Sequence, residues 1–202
     1  ANTVTHFIYS INDALTFANT YKATLNAQGG IVLGLRTSFS RYSGWEGDEK
    51  IQNTTAFKTT GVKSYTLYTY DSDVLTKSET WKNTDKVKLK SMTRYTGAEG
   101  EEKAALTLNY SSLNATVRTS TVFNYSSDDV LTSSVTYKGE VTLDANGAAV
   151  IASTNIRKSF SWYIGDEGEE KVRTTLNYRT DGTTANTVTH FIYSINDALT
   201  FA

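Results

Sequence analysis

The sequence predicts an all-β, tandem-repeat protein: antiparallel β-rich units wound as a solenoid or spiral, or stacked in a row, to form a fibre. Three observations predict it. Residues 1–18, ANTVTHFIYSINDALTFA, recur unchanged as residues 185–202, 184 positions later. Apolar and polar residues alternate with period 2 along much of the chain, as half-buried strands require. Proline is absent from all 202 residues, which suits paired strands because proline removes a ladder donor. Eighteen identities in a row do not arise by chance. A tandem array explains them, since each repeat is the same unit packing on its neighbour. On this reading the chain is one full period plus the start of the next, and the two copies should share one conformation.

The elements follow in chain order. An aromatic stretch, Phe7-Ile8-Tyr9, meets a turn at Asn12-Asp13 and resumes at Leu15-Thr16. Gln28-Gly29-Gly30 punctuates the next reversal, as glycine pairs do. Tyr65 to Tyr70 alternates as a strand, and the aromatic–acidic–Leu-Thr pattern returns as Tyr68-Thr69-Tyr70, Asp71-Ser72-Asp73 and Leu75-Thr76. Val87 to Tyr95 and Leu106 to Tyr110 read as strands, and Gly100 argues against a helix over Glu99–Leu108. Thr121 to Tyr125 alternates, and the pattern appears a third time as Phe123-Asn124-Tyr125, Asp128-Asp129 and Leu131-Thr132. Val135–Tyr137, Val141–Leu143 and Val172–Tyr178 complete the strands. Asn146-Gly147 is a strong hairpin signal. Thr, Tyr and Val are abundant and favour pleated, half-buried surfaces. About four strands per inner unit and almost no helix are expected.

A second marker defines the inner units. Tyr42-Ser-Gly-Trp-Glu-Gly-Asp-Glu-Lys50 returns as Tyr95-Thr-Gly-Ala-Glu-Gly-Glu-Glu-Lys103 and as Tyr163-Ile-Gly-Asp-Glu-Gly-Glu-Glu-Lys171. An aromatic follows each at the same distance: Phe57, Tyr110 and Tyr178. The units are therefore drawn as 1–57, 58–114 and 115–184, with 185–202 beginning the next period. Leu15, Leu75, Leu131 and Leu199 lie 60, 56 and 68 residues apart, so insertions are expected between markers, most visibly at 181–184. A unit of this size buries little surface alone, which favours stacking, and the exposed edges of a stack promote polymerisation.

Composition narrows the function. The net charge is −1 and the pI about 6.2, so the basic footprint of a nucleic-acid binder is missing. The apolar runs are far shorter than the ~20 residues of a spanning helix. Without cysteine there are no disulfides, thiolate metal sites or thiol nucleophiles. His6 and His190 are one position counted twice, which leaves little for a nucleophilic triad. The Glu-rich marker occurs three times, each copy ending in Lys; a catalytic pair needs two carboxylates in different environments. No catalytic residue and no cofactor are therefore assigned. Calcium takes carboxylate and carbonyl oxygens from loops, and Asp71, Asp73, Asp128 and Asp129 are the candidates, although none has EF-hand spacing. As turn formers, Asp and Asn also fit these positions. Trp45, Trp81 and Trp162 are candidates for a glycan-binding face, and cross-strand aromatic packing is the alternative.

Tyr70-Asp71-Ser72-Asp73-Val74-Leu75-Thr76, and more loosely Tyr125 to Thr132, resembles the bacterial YD (Rhs-type) repeat. The similarity covers about ten residues per unit. The Gly-Arg that precedes Leu-Thr in that family is missing here, and the Y-x-G-x-E-G marker is not part of its pattern. The resemblance implies a β-class repeat of large secreted bacterial proteins, and no functional residue is carried over. The expected function is a non-enzymatic structural segment of an extracellular or cell-surface bacterial fibre. Its partner would be itself, along the fibre axis, with no nucleic acid and no membrane span. A repetitive adhesin or carbohydrate-binding stalk is one alternative, and an engineered strand-donating polymer is another.

Overall fold

The computed structural model describes residues 2–111, 116–194 and 199–201. Its strands are β1 (Asn2–Tyr9), β2 (Leu15–Leu25), β3 (Ile31–Ser43), β4 (Lys50–Lys58), β5 (Gly61–Asp71), β6 (Val74–Trp81), β7 (Leu89–Thr96), β8 (Lys103–Tyr110), β9 (Val117–Tyr125), β10 (Leu131–Lys138), β11 (Thr142–Leu143), β12 (Ala149–Val150), β13 (Ile156–Ile164), β14 (Lys171–Tyr178), β15 (Ala185–His190), β16 (Ile192–Tyr193) and β17 (Leu199–Phe201). The described residues contain no helix. Thirteen strands form one antiparallel meander in chain order, β1 through β10 and then β13, β14 and β15. Among the described residues, β11 pairs only with β12, and β16 only with β17.

The all-β class is as the sequence implied, but the winding is not. Solenoid coils return each strand to the next turn through a long path, whereas antiparallel neighbours need only a short hairpin. Here the successive strands are hairpin partners, and no solenoid or barrel is found among the described residues. The insertion expected at 181–184 is also misplaced. Those residues form a tight turn, with Arg179 N–H donating to the Thr184 carbonyl at 2.9 Å. The extra pair of strands in the third stretch is instead β11–β12, joined by the Asp144–Gly147 turn, where Asp144 Oδ1 accepts the N–H groups of Asn146 and Ala148 at 2.8 and 2.9 Å.

Two compact units make up the chain, residues 1–92 and 93–202. In the first, alternation separates the faces of the sheet. Phe17 and Phe39 stack at 5.4 Å on one face. The Arg36 guanidinium lies 4.5 Å from the Phe57 ring centre and 5.6 Å from that of Phe39, within cation–π range. The other face carries small residues. Ser40, Thr54, Thr66 and Thr80 are cross-strand neighbours in register, and their hydroxyls pair at 2.9 Å (Ser40–Thr54) and 3.0 Å (Thr66–Thr80).

The second unit repeats this division. Leu106, Val122, Val135, Phe160 and Leu176 are successive cross-strand partners, and Leu106, at 1% exposure, is the most enclosed of them. In the adjoining row, fully buried Ser120 donates to the Gly139 carbonyl at 2.7 Å and accepts from the Val141 N–H at 2.9 Å. The opposite face again bears hydroxyl pairs: Thr93–Thr107, Thr121–Thr136 and Ser161–Thr175 at 2.9 to 3.0 Å.

Candidate functional site

The recurrent geometry of this chain lies where its two markers interlock. The aromatic–acidic–Leu-Thr marker is a hairpin closed by a bulge. Ile8 faces Phe17 and Tyr9 faces Leu15, so Thr16 is the extra residue. Thr69 faces Lys77 and Tyr70 faces Leu75, so Thr76 is extra. Thr132 occupies the same place between Leu131 and Ser133. Each extra threonine donates its hydroxyl to the carbonyl just before the marker tyrosine: Thr16 to Ile8 at 2.8 Å, Thr76 to Thr69 at 3.1 Å, and Thr132 to Asn124 at 2.9 Å. This explains the Leu-Thr pair physically. A bulge leaves one residue outside the ladder and re-aims its neighbours, and the threonine hydroxyl fixes it.

The tyrosine beside the bulge reaches the strand that begins at the lysine of the other marker. Tyr70 donates to the Ile51 carbonyl at 3.0 Å, Tyr125 to that of Ala104 at 3.1 Å, and Tyr193 to that of Val172 at 2.8 Å. Ile51, Ala104 and Val172 each directly follow the lysine of the other marker, so one contact is made three times. Burial pushes the Tyr125 hydroxyl above its ordinary value, with the Glu170 carboxylate adding to the shift, so it stays protonated as a donor.

The glycine-acidic marker is the loop before β4, before β8 and before β14. Its final glutamate is a clasp. Glu49 accepts from the Gly47 N–H at 3.1 Å and the Leu15 N–H at 2.8 Å. Glu170 accepts from Gly168 at 3.0 Å and Leu131 at 2.9 Å. Glu102 accepts from Gly100 at 3.0 Å. The next residue, lysine, answers the acidic turn of the other marker: Lys50 sits 2.7 Å from Asp73, and Lys103 sits 2.9 Å from Asp129 and 3.1 Å from Glu167. Asp73 and Asp129, with φ of 72° and 61°, occupy the left-handed region, where Asp is tolerated better than most side chains.

Two of the calcium candidates, Asp73 and Asp129, thus face lysine ammonium groups. Asp71 accepts from the Ser72 hydroxyl at 3.4 Å, and the Asp128 N–H donates to Ser126 Oγ at 3.3 Å. Among the described residues no group of three or more His, Asp or Glu side chains is placed to hold a metal ion. Trp45 is 78% exposed beside a shallow depression that includes Asp48, Lys50, Tyr68, Tyr70 and Asp73. Trp162 packs on Phe160 with ring centres 4.3 Å apart.

The clasp has a pH signature. The Leu15 N–H, foremost, and other backbone N–H groups hold the Glu49 carboxyl below its ordinary 4.5; Glu170 is lowered likewise, first by Leu131. Asp181, bonded chiefly by Thr184 and by the Thr183 N–H, is lowered from 3.8 to about 2. A lowered carboxyl contributes stability that is complete above its unfolded value and is lost as pH falls through its folded one. Unfolding midpoints in urea should therefore hold down to about pH 4.5 and decline below it. Glu170→Gln should flatten the upper part of that decline, and an unchanged profile would contradict the clasp.

The two copies of the duplicated segment lie at opposite ends of the strand order. Ile8↔Phe17 and Tyr9↔Leu15 in the first recur as Ile192↔Phe201 and Tyr193↔Leu199 in the second, with the bulge at the same step. The second copy is interrupted at Phe191, whose N–H donates to the Arg173 carbonyl at 2.9 Å. Its turn, residues 195–198, lies outside the described residues. β1 pairs with the strand that follows it, whereas β15 pairs with the strand that precedes it.

No known protein family and no curated protein matches this chain. A crystal structure of a protein of unknown function from Bacteroides fragilis NCTC 9343 is similar at 9% identity, over 80% of this chain and 91% of that one, with a TM-score of 0.29.

Proposed function

We propose that the chain is a structural segment of an extracellular or cell-surface bacterial fibre, lengthened by strand pairing between tandem β units and devoid of catalysis. The observation that carries this reading is the recurrence of one hairpin register in both copies of the duplicated segment. The first copy displays the strand that follows the segment and the second displays the strand that precedes it. Together they describe a continuous ladder, β14 to β1 to β2, with no new contact required. The marker clasps favour the same reading, because each links neighbouring hairpins and recurs with the repeat rather than at one place.

Negative-stain electron microscopy of the native material tests it. Long, uniform filaments are expected without added ligand. Discrete particles in place of filaments would overturn the reading.

One observation favours a second reading, a glycan-binding stalk. Trp45 is exposed at a marker position held by Ala98 and Asp166 in the other copies. A glycan array distinguishes the two: binding lost in Trp45→Ala supports the stalk, and no binding leaves the fibre.

A further inference from the structure

We propose that the open edge of β1 is the seat for β14 of a second copy of this chain, which docks by displacing that copy's own residues 185–202. This inference rests on the fibre reading and specifies its joint. β1 stands at one end of the strand order and β15 at the other. Unpaired strand edges are templates for further pairing. What fits the β1 edge is displayed within the chain itself, because β15 has the sequence of the first residues and is seated on β14. Its register is Thr174↔His190, Thr175↔Thr189, Leu176↔Val188, Asn177↔Thr187 and Tyr178↔Ala185. Transposed by one period, β14 of the second copy lies with Thr174 beside His6, Thr175 beside Thr5, Leu176 beside Val4 and Asn177 beside Thr3.

Two side chains of the first copy await this partner. Tyr9 is 57% exposed, while Tyr193, the same residue one period later, is half-buried and bonded to the Val172 carbonyl. Docking supplies Tyr9 with the Val172 carbonyl of the second copy. Asp13 has φ of 58°, in the left-handed region with Asp73 and Asp129, which pair with Lys50 and Lys103. The lysine at the corresponding place in the second copy is Lys171.

The exchange is close to balanced at β14, because incoming and resident segments are identical over eighteen residues. The incoming hairpin adds one thing. Ala18–Ala23 of β2 pair with Asn2–Phe7, whereas β15, among the described residues, is paired with β14 alone. The incoming strand therefore arrives with its outer side already paired. The released β15 regains conformational freedom, which offsets part of the cost of association. The joint is head-to-tail, so it propagates as an open filament rather than closing as a two-fold dimer.

The test uses the full chain, which has no native cysteine. Val4→Cys with Leu176→Cys places the two thiols in the proposed register between copies. Val4→Cys with Val172→Cys is displaced by four residues, about 13 Å along the strand. Leu176→Cys with Val188→Cys reports folding, since it closes within one chain, and it should suppress joining by locking the resident segment. After mild oxidation, a non-reducing gel of the first variant should show a reducible ladder of multiples of the chain. Its intensity should exceed the displaced control about tenfold or more, because Cα atoms beyond ~7 Å do not form a disulfide. A ladder that ignores register, a disulfide confined within single chains, or no ladder alongside a closed folding control would overturn the proposal. Electron microscopy of the same samples separates the two failures. Filaments without the in-register ladder refute this joint alone, and absence of both refutes the fibre reading as well.

Discussion

Gly97→Ala should destabilise the protein by about 3 kcal/mol or more, whereas Gly100→Ala, three residues away in the same loop, should cost only about 1–2 kcal/mol. Both glycines have positive φ, 121° and 81°. They differ in what a side chain would meet. A Cβ on Gly97 would stand 2.4 Å from the Glu101 carbonyl oxygen and 3.2 Å from the Glu102 Cα, while one on Gly100 would meet nothing within 4 Å. The loop backbone folds over Gly97 so that the Glu102 carboxylate can return to the Gly100 N–H. Opening the loop to admit a methyl group would pull that clasp apart. Gly44 and Gly165 have the same close carbonyl, at 2.4 and 2.7 Å, so the effect should recur in each marker. Urea unfolding of the paired variants measures the difference directly. Equal midpoints for Gly97→Ala and Gly100→Ala would show that the loop does not depend on this close approach.

Leu106→Ala should cost about 2–5 kcal/mol, the range for emptying a packed leucine site. Leu106 faces Val122 across the β8–β9 pair, and Val122 faces Val135 in turn. All three are buried. In a sheet-based chain whose other face is largely Ser and Thr, this row is the main apolar contribution of the second unit. A neighbour cannot easily collapse into the vacated space, because backbone ladders fix the Val122 and Val135 positions. An exposed alternating position such as Arg118 offers the contrast, with a change within about 0.5 kcal/mol expected for Arg118→Ala. A Leu106→Ala midpoint close to the parent would mean that the row is not the core.

Much of this was legible in the sequence because it is local. Period-2 alternation at Tyr65–Tyr70 or Thr121–Tyr125 specifies a strand wherever that strand is placed, and Asn146-Gly147 specifies its hairpin through the left-handed turn it needs, with Gly147 at φ 80°. The markers were visible as repeats, but their roles were not. Nothing in the spelling Leu-Thr distinguishes a ladder residue from the extra residue of a bulge, since that depends on the partner strand. Likewise Glu49 looks like one more charge on an acidic turn, and only folding brings the Leu15 N–H to it. Alternation is equally silent on whether strands coil or run as a meander. The short turn segments between strands carried that information, and they favour hairpins over the solenoid expected from repetition alone. The β11–β12 hairpin was legible at Val141–Leu143 and Asn146-Gly147, but not its place apart from the main sheet, because two-residue strands are too short to show a period, whereas Asp181-Gly182 resembled an insertion only because it is rich in turn residues.

The central claim is that the sheet continues from β14 into the next copy of β1 without a break. Twelve main-sheet strands, β1 through β10 with β13 and β14, make up one period. At about 4.8 Å per strand, an extended ladder of them repeats every 58 Å or so. Fibre diffraction or cryo electron microscopy of assembled material measures this spacing. The expected result is a strand spacing near 4.8 Å along the fibre axis, with an axial repeat of about 58 Å, shortened somewhat by sheet twist. Strands running parallel to the axis, or a repeat unrelated to twelve strand spacings, would contradict it.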